Sequence, residues 1–302
     1  MPKHVPVLFN EAIEFLDLAP GAFAIDGTLN GGGHAHEILK RISPGGTLLA
    51  TDLDPLLLRE TGDRLKEEFG DSVKMVFEHS NFARLPEIFE EKNLQPADVL
   101  LLDLGFSSAQ LAGSGRGFAF SSGGEGNDEP LLMTYDPEEK PVKQWLRELT
   151  EQELADVIYR FSGERFSRRI ALSIKEHLRR EPIETAGQLA DVIKHALPRG
   201  YERGRINPAT RTFQALRILA NHELESLETV LAGLPKIVKS GGRVCIISFH
   251  SLEDGIVKRA FRQMEKDGVL KIRTKKPIVA TELEQKENPR SRSAKLRVAQ
   301  IV

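Results

Sequence analysis

The sequence predicts an α/β fold: an open, mostly parallel sheet interrupted by a small all-helical insertion. Three observations carry this. Short apolar runs alternate with helical patterns at 22–25, 47–50, 73–77 and 98–102, the rhythm of a parallel sheet covered by helices on both faces. From about Pro141 to Leu197 the chain is charged, helical in period and without a strand pattern. Gly241-Gly242 then lead into a fresh apolar run, Arg243 to Ser248, so the sheet resumes after the insertion. The expected organisation is a first sheet segment over 1–138, a helical insertion over 139–208 and a second sheet segment over 209–302.

Between the early strands, helices are expected near 35–41, 55–68 and 83–92. The insertion should hold helices over 152–160, 165–179 and 186–196. Thr212 to Leu231 reads as one long amphipathic helix, with Phe213, Leu216, Leu224, Leu227 and Leu231 on a single face. Two late runs, 269–273 and 294–302, suit an antiparallel pair at one sheet edge. Gly113 to Glu129 is dense in Gly, Ser and acids and reads as a surface loop.

At 302 residues and 40% hydrophobic content the chain can build one large or two ordinary cores. No run of about 18 apolar residues suggests a membrane span. The start, Met1 to Pro6, lacks the apolar centre of a signal peptide. The lone Cys245 lies in an apolar strand pattern and reads as a buried structural thiol. A soluble cytoplasmic protein is expected. The net charge of −2 hides an asymmetry: residues 1–139 hold 10 Lys and Arg against 24 Asp and Glu, the remainder 32 against 20. A basic half suggests a polyanionic partner, most naturally nucleic acid; the competing reading is a solvated helical surface.

Chemistry concentrates after the strands. Ile25-Asp26-Gly27-Thr28-Leu29-Asn30-Gly31-Gly32-Gly33-His34 is an apolar run, an acid, a glycine-dense turn and a helix start; the next strand ends in Thr51-Asp52. A glycine loop with a carboxylate after the second strand is how a Rossmann-like sheet holds a nucleoside cofactor. Glycines at 27, 31, 32 and 33 meet the G-x-G-x-x-G spacing only loosely, which suits a ligand without phosphate such as S-adenosylmethionine. Asp26, Asp52 and Asp103 all close strands. Asp103 is the first choice for a functional carboxylate, able to accept a hydrogen bond from a reacting amine; an Asx turn before Gly105 is the alternative. Phe82, after the third strand, could wall an adenine ring or pack in the core.

His34 and His36 form H-x-H, but no other ligand set lies nearby in sequence, so no metal is expected. Ser251 with Asp254 fits a capping box; the functional reading puts His250 and Ser251 at the ligand-facing edge. No G-x-S-x-G elbow suggests acyl transfer. Arg199, Arg203, Arg205 and Arg211 flank Asn207-Pro208, and Arg290, Arg292, Lys295 and Arg297 follow Asn288-Pro289. Such segments make phosphate contacts, or form an inert basic tail.

With these pieces the chain resembles the bacterial 16S rRNA (cytosine-N4) methyltransferase family, the RsmH or MraW type. The matching segments run nearly end to end. They are His4 to Leu8 with Glu11, Asp26-Gly27-Thr28 with Gly31 to His34, Asp52 to Pro55, Asn81-Phe82, Leu102 to Leu111 and Arg116-Gly117-Phe118. They continue with Gly163-Glu164-Arg165, Pro208 to Ile218, Ser248 to Asp254 and Asn288 to Arg297. The resemblance implies a class I S-adenosylmethionine-dependent methyltransferase sheet interrupted by a helical domain. It also implies methylation of a cytidine N4 amine in the decoding region of small-subunit rRNA, without metal. It assigns Gly32, Gly33 and His34 to the cofactor, Asp52 to its ribose and Phe82 to its adenine, with Asp103 and Gln110 completing the pocket. Arg116, Arg211, His250, Arg290 and Arg292 are the candidate RNA contacts. The oligomeric state stays open, a homodimer included.

The family usually reads P-L-D-M-R-M-D after its R-G-F-S-F segment. Here Pro130-Leu131-Leu132-Met133-Thr134-Tyr135-Asp136 puts Leu132 for an acid and Thr134 for an arginine. Asn30 sits where the family often has Gly or Arg, with little effect expected. Two alternatives remain at this stage: a same-fold RNA methyltransferase with another target base, and a ribosome assembly factor without catalysis.

Overall fold

Residues 6–105, 115–118, 128–198, 200–201 and 207–302 are described by a computed structural model of the chain. Seven strands form one sheet: β1 (Phe23–Asp26), β2 (Thr47–Asp52), β3 (Lys74–His79), β4 (Ala97–Asp103), β5 (Val238–Ser248), β6 (Leu270–Ile272) and β7 (Lys295–Ile301). Their order is β3-β2-β1-β4-β5-β7-β6. The first five run parallel, and β7 lies antiparallel between β5 and β6. The antiparallel pair expected from the two late apolar runs is therefore present at that edge.

Two helix-covered faces explain the strand sequences. Ala24, Leu48, Val99, Leu101, Cys245 and Ile247 point to one core, with α1 (Phe9–Leu16), α2 (Gly33–Ile42) and α3 (Pro55–Phe69) packed on it. Ile25, Leu49, Leu100, Leu102, Val244 and Ile246 point to the other, against α4 (Leu85–Glu91). Alternate residues serve opposite faces, and both faces are dry in the centre of the sheet, so β1, β2 and β4 read as nearly continuous apolar runs. Between β1 and β4 the strand order reverses. The crevice beyond the carboxyl ends at that switch point is where open α/β sheets take ligands.

The insertion folds around its own core. It holds α5 (Val142–Glu148), α6 (Glu151–Ser162), α7 (Ser167–Leu178), α8 (Ala186–Ala196) and α9 (Thr210–Ala220). Thr150 and Thr185 open α6 and α8 with capping boxes to Glu153 and Gln188. By contacts the chain divides into one unit of residues 1–106 with 224–302 and another of 107–223. Residues 128–138 and 209–223, assigned from sequence to the two sheet segments, thus belong to the helical unit; Leu131, Met133, Ala209, Phe213, Leu216 and Ala220 lie in its core.

The single helix expected over 212–231 is two helices, α9 and α10 (Glu223–Ile237). Asn221 and His222 break it, His222 with a left-handed φ of 50°. The break is held from the side: Asn221 Nδ2 donates to the Met133 and Arg217 carbonyls at 2.8 and 2.9 Å, and its Oδ1 accepts from Tyr135 N at 2.8 Å. A polar side chain that satisfies three backbone groups outweighs the apolar stripe that runs through it. Two helices complete the sheet unit, α11 (Ser251–Lys266) and α12 (Glu282–Glu287). Among the described residues no helix is long and apolar enough to cross a membrane.

Candidate active site

The three strand-closing acids gather at one end of the sheet, as the sequence predicts. Asp26 ends β1, Asp52 ends β2 and Asp103 ends β4. All three are buried, at 1, 7 and 7% exposure. Asp26 Oδ1 accepts from Thr28 N at 3.1 Å, while its Oδ2 is buried with no hydrogen-bond partner among the described residues. Burial, then the charges of Asp103 and Asp52, raise the Asp26 carboxyl well above its ordinary value. Burial pushes Asp52 up to about 6 and Asp103 up to about 7, the second helped by the nearby Glu253 charge. Three carboxyls that resist ionisation side by side make a site that favours a cationic ligand.

The loop after β1 is built around these acids. Asn30 (φ 49°) and Gly32 (φ 74°) both take the left-handed conformation. At Gly32 a Cβ would stand 2.5 Å from Thr61 Cγ2, so the position needs glycine twice over. Asn30 N donates to Asp52 Oδ2 at 2.7 Å, and Asp54 N to Asp52 Oδ1 at 2.9 Å. The Asn30 amide reaches across to the β4 turn, donating to Gly105 O at 3.1 Å and to Asp103 O at 3.5 Å. Asp103 N in turn donates to Thr28 Oγ1 at 2.6 Å. On its outer side the loop is pinned from α3: Thr61 Oγ1 donates to Asn30 O at 3.2 Å and Arg64 Nη2 to Gly31 O at 2.7 Å.

His34 sits on the first turn of α2, 5% exposed, with Nδ1 3.5 Å from Asp103 Oδ2. His36 faces away, 2.7 Å from Glu68 on the surface, so the H-x-H spacing is split between interior and exterior. Phe82 opens a 3₁₀ turn after β3 and is half-buried. Asn81 caps that turn and donates to Ser226 Oγ at 2.8 Å.

A family model described as the MraW methylase family matches residues 1–302. The chain belongs to that family. Three curated relatives, all called ribosomal RNA small subunit methyltransferase H, agree with it. The protein of Koribacter versatilis is 45% identical over 98% of this chain and 93% of its own length. That of Acidobacterium capsulatum is 43% identical over 99% and 98%. That of Geotalea uraniireducens is 42% identical over 99% and 98%.

The methylase places its remaining predicted residues unevenly. Gln110 lies outside the described residues, as do Arg199, Arg203 and Arg205. Arg116 is half-buried and donates to Tyr135 O at 2.7 Å, which ties it to the Pro130–Asp136 stretch. The capping box of α11 falls one residue earlier than expected. His250 is the N-cap, and Glu253 Oε2 accepts from Phe249 N and His250 N at 2.7 and 3.2 Å. His250 Nε2 also stands 3.0 Å from Glu253 Oε1. This imidazole is engaged by the helix start rather than presented to solvent.

The basic segment after Asn288 runs into the edge strand expected over 294–302. Lys295 and Arg297 belong to β7 and bind Asp254 of α11 at 3.1 and 2.7 Å. A strand position with an acid opposite outranks the local charge run. Arg292 is exposed, and Arg290 is half-buried on the turn before β7, where burial lowers its pKa. Sequence reasoning expected little of Asn30, which instead ties Asp52 to the β4 turn, and passed over Thr28 and Glu253. The Thr-x-Asn step inside a glycine turn, and a Glu three residues after a helix-starting His, are the signals that could have found them.

Proposed function

We propose that the methylase transfers a methyl group from S-adenosylmethionine to the exocyclic N4 amine of a cytidine in the decoding region of small-subunit rRNA. The observation that carries this is the trio Asp26, Asp52 and Asp103, buried at the switch-point end of the sheet and mutually unfavourable as anions. Their chemistry fits S-adenosylmethionine, which bears a sulfonium and an ammonium and no phosphate. Gly32, Gly33 and His34 would hold its amino-acid end, Asp52 its ribose hydroxyls and Phe82 its adenine. Gln110 would complete the pocket.

When bound, that group supplies an electrophilic methyl carbon; the chain's own task is to hold the amine in line and manage its proton. Cytosine N4 is a weak nucleophile because its lone pair is delocalised into the ring. A carboxylate at Asp103 that accepts a hydrogen bond from the amine favours pyramidalisation and returns the lone pair to nitrogen. Asp103 would then take up the excess proton that the amine carries once it is methylated. A carboxyl held near 7 suits this exchange at neutral pH. His34, 3.5 Å away, orients that carboxyl. Most of the rate would come from positioning. The base has to leave its stack to reach the site, and the basic half of the chain, residues 140–302, would hold the RNA meanwhile.

The test is incubation with methyl-labelled S-adenosylmethionine and small subunits lacking cytosine-N4 methylation, then digestion and mass spectrometry of the nucleosides. Label on N4 of a decoding-region cytidine is the expected result. Label on another base would make the Pro130–Asp136 stretch the determinant of target choice. No label with folded protein would sink the catalytic reading.

A further inference from the structure

The helical unit contains a buried carboxylate that the proposed chemistry does not use. Glu164, in the turn between α6 and α7, is 0% exposed. Its Oε1 accepts from Phe166 N at 2.8 Å, and both its oxygens lie within reach of Tyr201 Oη, at 3.0 and 2.9 Å. Arg211, in the first turn of α9, approaches from the third side: Nη1 stands 3.7 Å from Glu164 Oε2 and donates to Tyr201 Oη at 3.1 Å. Arg165, the neighbour of Glu164 in sequence, is exposed and carries its guanidinium over the rings of Phe166 and Tyr201, at 5.1 and 5.3 Å. Phe166 and Tyr201 meet edge-on at 5.1 Å.

Taking a carboxylate fully out of water is costly, and a cation that merely neutralised it would be expected to sink beside it. Arg211 does not: 40% of its side chain stays exposed. One buried anion thus fixes a tyrosine, and the tyrosine fixes two guanidinium groups at the surface, one by its hydroxyl and one by its ring. Planar guanidinium forks held in this way match phosphate oxygens. Arg160, Arg168 and Arg169 lie exposed on the helices either side of the same turn, with no carboxylate paired to them among the described residues.

We infer that Arg165 and Arg211 form a phosphate clamp for the RNA strand, and that Glu164 and Tyr201 are its positioning residues. The inference rests on the reading that RNA is the substrate. The site would take consecutive backbone phosphates without reading bases.

The test measures binding of the full chain to small-subunit rRNA between 50 and 200 mM salt, with methyl transfer assayed alongside. Arg165→Gln and Arg211→Gln should each weaken binding roughly threefold to tenfold and lower the salt slope by about 0.7 to 1. Tyr201→Phe and Glu164→Gln should weaken it similarly, although the second removes a negative charge. Pure electrostatics expects Glu164→Gln to tighten binding, and that result would overturn the positioning role. Unchanged slopes for both arginine variants, with a wild type that binds and methylates, would overturn the clamp and leave the function standing. A wild type that neither binds nor methylates would remove the function first and the clamp with it. The arginine changes alter exposed heads, so they decide the matter even if Glu164→Gln does not fold.

Discussion

Replacing Asp103 with Asn should stabilise the ligand-free protein at alkaline pH while it abolishes most methyl transfer. Burial holds the Asp103 carboxyl at about 7, against an ordinary 3.8. Between those values the folded protein keeps a proton that the unfolded chain has released. Raising the pH through this window therefore removes stability, at about 1.4 kcal/mol per pH unit, and the loss is complete above 7. The gap of roughly three units amounts to about 4 kcal/mol. Asn cannot ionise and keeps an oxygen for Gly105 N, which approaches Asp103 Oδ1 at 3.4 Å. The advantage of the variant should grow by about 3 kcal/mol between pH 5 and pH 8. The single tryptophan, Trp145, lies in the helical unit and reports on the wrong core. Urea-dependent hydrogen exchange of the β4 amides is the suitable assay. An advantage independent of pH would refute the argument that Asp103 is strained by desolvation. Methyl transfer by the variant should fall by roughly two to four orders of magnitude.

Two further outcomes are expected. Asn30→Ala removes the amide that bridges the β1 and β4 turns and strains a backbone at φ 49°, so it should cost about 2 kcal/mol in a thermal melt and weaken S-adenosylmethionine binding; Asn30→Gly, which relieves the strain, should recover part of the stability but not the affinity. Cys245 is fully buried and its thiol pKa is raised by burial, so a disulfide-exchange reagent at pH 8 should leave the folded protein unlabelled and modify one thiol per chain in urea.

Local signals were legible where one element obeys one rule. The strands β1, β2 and β4 show as apolar runs because both faces of the sheet are dry, and their closing acids fall at one end of it. The signal failed where distant backbone competes. The stripe from Phe213 to Leu231 is unbroken in sequence, yet Asn221 breaks it because carbonyl and amide groups at 133–135 need partners. The charge run 290–297 read as a phosphate-binding segment, yet Lys295 and Arg297 are spent on Asp254 within the fold.

The sequence by itself determined the alternation of strand and helix, the helical interruption, the glycine turn and the three acids, since each depends on neighbours a few residues apart. The tertiary structure decided what those acids are worth. Asp26, Asp52 and Asp103 lie far apart along the chain, and only the parallel register of β2, β1 and β4 brings them together out of water. Asn30 gained its place in the same way, by reaching a turn 75 residues away. Glu164 became a mount for two arginines only once Tyr201 and Arg211 folded over it. Burial and long-range contact set these properties, and neither is written in any local stretch of residues.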